Sequence, residues 1–133
     1  MTIVEFLLER IAEDEAVARD AAAVSSMRWI ENDSLLMFRD PGNPEYAEAL
    51  AIVENYRFNA AWAHVARQDP ARVLAECEAK RRIVDYREQA VQASANTSLP
   101  IFEAQVSAYD AALRALAGAH ADHPDFDPAW RVS

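Results

Sequence analysis

The C-terminal segment AHADHPDFDPAWRVS gathers His120, Asp122, His123, Asp125 and Asp127 within eight residues. Imidazole and carboxylate together suit mixed zinc, manganese or iron sites, so a divalent metal on His120, Asp122 and His123, with His64 and Asp69 completing the cluster, would make this a metal-dependent enzyme, a hydrolase by class. The spacing follows no established ligand motif, and Pro124 and Pro128 interrupt the segment. The competing reading is that the acids cap or solvate the chain and His123 hydrogen-bonds locally. No cofactor is predicted on that reading.

A second group lies in HVARQDPARVLAECEAKRR, residues 64–82, where His64, Asp69 and Arg72 flank an Asp-Pro step. If His64 closes one helix and Asp69 opens the next, the two side chains can converge, with a tail histidine as third partner. The simpler reading is local: His64 meets the negative end of its own helix, and Asp69 is an N-cap whose carboxylate accepts from free backbone N–H groups. The basic run Lys80, Arg81, Arg82 offers a charged interaction face, though interleaved acids shorten it.

Other chemistries fail on residue type. Two glycines cannot build a phosphate-cradling loop, and no G-x-S-x-G is present. Glu45 and Glu48 supply the first half of the E-x-x-E, E-x-x-D pattern of helical magnesium pyrophosphatases, but no glutamate has an aspartate three residues on. Cys77 falls in an apolar stripe and reads as a small buried hydrophobe rather than a nucleophile.

The elements that must carry these residues are mostly helices. Val4, Leu7, Leu8, Ile11, Ala18 and Ala22 recur at helical spacing from Thr2 to about Val24, and Thr2 with Glu5 matches a capping box. Glu15 interrupts that stripe, as an edge residue turned outward or as a partly buried carboxylate in need of a partner. In 25–43, Glu-Asn-Asp-Ser and Asp-Pro-Gly-Asn-Pro are turn chemistry. The apolar flanks can pair as a small hairpin over residues 27–38, with an irregular loop anchored by Trp29 as the alternative.

Asn43, Pro44, Glu45 and Glu48 are suited to start a second helix, predicted to reach Arg67 with Trp62 on its apolar side. A third helix is predicted from Asp69 to about Ser94, with Val73, Leu74, Cys77, Val84 and Val91 buried. Glu76 with Lys80 and Glu78 with Arg82 form i,i+4 pairs on it. A fourth helix starts near Leu99 or Pro100, runs through Phe102, Val106, Tyr109, Leu113 and Leu116, and closes at Gly118. Phe126 and Trp130 in the irregular tail call for docking on the helices; Trp29, Trp62 and Trp130 are the expected structural anchors.

The bulk composition agrees. At 133 residues and 52% apolar, residues 1–133 are expected to form a single all-α domain of about four helices, with an irregular C-terminal tail docked on the bundle. One cysteine excludes an internal disulfide and fits a reducing cytoplasm; no signal peptide and no span of about 20 apolar residues is recognised. A net charge of −9 makes nucleic-acid and membrane binding unfavourable. Residues 1–40 carry nine acids against four arginines, while 70–95 hold a basic cluster. The two segments are complementary within or between subunits, or one of them meets a partner.

Three segments, EFLLERIAEDEAVAR, HVARQDPARVLAECEAKRRIVD and ADHPDFDPAWR, together resemble a family of small proteins of unknown function from actinobacteria and their bacteriophages. Gln68 stands where members often carry a second histidine before the Asp-Pro, which weakens an obligatory histidine dyad there. The resemblance implies a short accessory reading frame, not a reaction. The expectation is a small, phage-encoded cytoplasmic accessory protein that binds another protein or itself; whether it is also an enzyme is left open, with no enzyme favoured.

Overall fold

Thr2 and Glu5 open the first helix as a reciprocal cap: the Thr2 N–H donates to the Glu5 carboxylate at 2.7 Å, and the Glu5 N–H to the Thr2 hydroxyl at 3.2 Å. The backbone bond from Thr2, and then its hydroxyl, hold the Glu5 carboxyl below its ordinary pKa. In the computed structural model, residues 1–24, 29–32, 35–40, 43–52 and 59–132 are described. The described residues are mostly helical, with four α-helices among them: α1 (Ile3–Val24), α2 (Asn59–Arg67), α3 (Pro70–Asn96) and α4 (Pro100–Gly118). A 3₁₀ turn, Pro128–Trp130, follows.

Residues 29–52 contain β1 (Trp29–Asn32), β2 (Leu35–Asp40) and β3 (Asn43–Ile52), antiparallel in that order. Met27, Arg28 and the turn residues Asp33 and Ser34 of the expected hairpin lie outside the described residues. The helix expected from Asn43 is corrected: residues 43–52 are extended, with Leu36 facing Ala51 and Met37 facing Ala49, and α2 starts only at Asn59. Asn-Pro-Glu is good helix-start chemistry, and the alanines of YAEALAI favour helix. The same residues also alternate large and small with period two, and pairing with a neighbouring strand overrides local propensity.

The described chain divides into two compact units, Met1–Ala12 with Glu78–Ser133, and Glu13–Cys77; α1 and α3 contribute residues to both. In the first unit the core is Phe6, Leu7, Val84, Leu113, Ala117 and Phe126, with Ile3, Val4, Leu8, Ile83, Leu116 and Trp130 packed against it. Each large side chain buried this way contributes about 1.5–3 kcal/mol. Arg87 of α3 donates to Asp110 of α4 at 2.9 Å beside this core. Pro100 occupies the first turn of α4, and the helix ends at Gly118 with Ala119 still right-handed, so its close does not use a left-handed glycine.

In the second unit Ala18, Ala66 and Cys77 are buried, together with Asp69 and Pro70. The burial of Cys77, at 1% exposure, fits its place in the apolar stripe. Glu15, the residue that interrupts the first stripe, is mostly buried, and its carboxylate meets Arg19 one turn on at 3.3 Å. No helix among the described residues is long and apolar enough to cross a membrane.

Candidate functional site

The Asp-Pro step breaks the chain between α2 and α3 because a residue before proline avoids the helical region. Gln68 is a turn, Asp69 is non-helical, and Pro70 begins α3. The Asp69 carboxylate accepts from the Arg72 N–H at 2.9 Å, the geometry of an N-cap. The Arg72 side chain turns away along α3 and donates to Glu76 at 2.7 Å. His64 is exposed in the last turn of α2, beside Arg67, where a cation complements the helix dipole. Asp69 and Arg72 are thus engaged in starting and lining a helix. His64 belongs to the unit of residues 13–77 and the tail to the other.

Asp69 is only 5% exposed, so its loss strands helix N–H groups in a dry place. Asp69→Ala is expected to cost about 0.5–2 kcal/mol, with Asp69→Asn recovering most of it. Denaturant unfolding read by helical circular dichroism checks this. An unchanged midpoint in the alanine variant would refute the capping role.

The tail is built by successive tight turns. The His123 N–H donates to the His120 carbonyl and the Phe126 N–H to the His123 carbonyl, each at 3.0 Å, and Asp127 caps the 3₁₀ turn by accepting from the Ala129 N–H at 2.9 Å. These turns lay a set of rings around Phe6, which is fully buried. Centroid distances from Phe6 are 5.7 Å to His123, 6.2 Å to His120, 6.1 Å to Phe126 and 5.1 Å to Trp130. Edge and tilted contacts at such separations add stabilisation beyond burial.

Arg10, one helical turn after Phe6, completes the cluster. It is 6% exposed, its guanidinium carbon lies 5.3 Å from the Phe6 ring centre, and Glu9 is 3.6 Å from Nη2. Its Nη1 meets the His123 ring, 2.8 Å from Nδ1 and in contact with Nε2. A guanidinium only donates, so the imidazole nitrogen it meets accepts. The Asp125 N–H also donates to His123 Nδ1, at 3.2 Å, and the Asp125 carboxylate is 3.9 Å away.

The structure thus brings His120 and His123 to one aromatic cluster, with Arg10 directed at the ring nitrogens through which His123 would ligate a metal. Asp122 is exposed. Among the described residues no three His, Cys, Asp or Glu side chains are grouped so as to hold a metal ion. Arg10 is the residue that sequence reasoning missed. Its signal was present: an arginine among Ile3, Phe6, Leu7 and Ile11 on one helical face must be buried or must bend the helix outward.

On the basic run, Arg82 pairs with Glu78 and is largely exposed, while Lys80 and Arg81 are half-buried and each is engaged by another group. Glu76 is met by Arg72. Of the tryptophans, Trp130 packs against the core and Trp29 lines an open cavity of about 260 Å³ with Asp14, Val17, Ala18, Ala21, Gln68, Pro70 and Val73. Trp62 belongs to α2, but its side chain lies outside the described residues.

The profile of a family described as "Family of unknown function (DUF6221)" matches residues 1–132, and the chain belongs to that family. No curated protein and no solved structure matches the chain.

Proposed function

We propose that this member of the DUF6221 family is a small cytoplasmic accessory protein, encoded by actinobacteria or their bacteriophages, that acts by binding another protein or a second copy of itself. The observation that carries this is the cavity beside Trp29. Its walls are mainly apolar, and Val17 stands on it 70% exposed. An open apolar recess of this kind, with the carboxylate of Asp14 and the amide of Gln68 among its lining, has the composition of a protein-contact patch. Residues 1–133 form one cooperative domain on this reading, because α1 and α3 are each continuous through both compact units.

Val17→Asp places a charge on the recess without disturbing a buried position. The expected result is loss of concentration-dependent self-association in light scattering, or loss of a partner co-purifying with the native chain, at unchanged helicity. A native protein that stays monomeric at every concentration and retains no partner would overturn the proposal.

A further inference from the structure

We propose that a second cavity, between α4 and the C-terminal segment, binds a phosphomonoester dianion through Arg114 and Arg131. The cavity measures about 380 Å³ and is lined by Ser107, Asp110, Ala111, Arg114, Arg131 and Val132, all within one compact unit. That volume lies in the range of small-molecule sites.

Charge selects the ligand. In this acidic chain Arg10, Arg19, Arg72, Arg82 and Arg87 each lie against a carboxylate. Arg114 and Arg131 are exposed and have no ion pair among the described residues, yet both line the same cavity. Asp110, the one carboxylate among the described lining residues, accepts from Arg87 at 2.9 Å, so its charge is already offset. Two guanidinium groups then leave a surplus of two positive charges, which a phosphate dianion neutralises and a carboxylate does not. Guanidinium forks match phosphate oxygens in geometry, and the Ser107 hydroxyl adds a further donor in the lining. Ala111 and Val132 form an apolar wall suited to the organic part of the ester.

The test is calorimetric titration of the full-length protein with phenyl phosphate, a phosphoserine peptide, inorganic phosphate, sulfate and benzoate. Saturable binding of phenyl phosphate or the phosphopeptide, stronger than that of benzoate, is expected, and it weakens below about pH 6 as the dianion takes up a proton and becomes a monoanion. Preference for phenyl phosphate identifies a small-molecule ester, and preference for the peptide a phosphorylated protein. Arg114→Gln and Arg131→Gln each reduce affinity about tenfold or more, while Arg72→Gln, an exposed arginine outside the cavity, leaves it unchanged. Both cavity arginines are exposed, so the substitutions are not expected to unfold the chain, and circular dichroism verifies this. Failure of both esters to saturate, binding no tighter than benzoate or sulfate, or binding indifferent to both substitutions would overturn the proposal.

Discussion

Phe6→Ala loses about 3–5 kcal/mol of stability, the range for emptying a fully buried phenylalanine site. Phe6 is 0% exposed and is the one ring among the described residues that touches His120, His123, Phe126 and Trp130. Deleting it removes its own burial and leaves a cavity that the tail cannot refill, since the tail's turns are fixed by backbone bonds at His120, His123 and Asp127. A domain of this size has about 5–15 kcal/mol in total, so the variant sits near the edge of folding. Thermal unfolding followed by helical circular dichroism and by tryptophan fluorescence measures the loss. It also tests the single cooperative domain proposed above: one coincident transition is expected, and two separated transitions would mean that the compact units melt independently. Phe6→Leu, which keeps most of the volume, is expected to lose roughly half as much.

Arg10→Ala comes next, at about 2–4 kcal/mol. The side chain is 7% exposed, and its loss removes a charged hydrogen bond to His123, a cation–π contact with Phe6 and the packing of its stem. Because His123 lies in the turn that returns the tail to α1, the expected consequence is local as well as global. The segment after Gly118 becomes susceptible to limited proteolysis while α3 remains protected. Arg10→Met, which keeps the stem but not the donors, is expected to recover about half of the stability and little of the protease resistance. If Arg10→Met protects the tail as well as arginine does, packing alone holds the tail and the bond to His123 contributes nothing.

The sequence showed the helices wherever a local rule and a burial pattern agreed. Thr2 with Glu5 caps α1, Asp69 with Pro70 starts α3, and Pro100 starts α4, because capping and proline geometry act within three or four residues and do not depend on the rest of the chain. The same logic failed at Asn43. There a sound helix start was followed by alanines whose partner strand, β2, cannot be seen from local propensity. Glu15 was recognisable as an anomaly in the stripe, and Arg19 stands at the i,i+4 spacing that pairs with it.

The candidate sites divide along the same line. Asp69 had its role in the sequence, since an N-cap is determined by spacing alone, whereas Arg72 did not: its partner Glu76 was expected to pair with Lys80. Nor did the tail histidines. Sequence placed His120 and His123 beside aspartates and so suggested metal ligands. Tertiary structure places them around Phe6, with Arg10, 113 residues away in the chain, at the ring nitrogens of His123. What this chain determined by itself was α1, α3 and α4, the caps of α1 and α3 and its acidic balance, all products of short-range bonds and composition. Which buried cation would meet which ring, and which two arginines would share a cavity, was decided only when distant segments closed on one core, because such contacts form between residues with no local preference for one another.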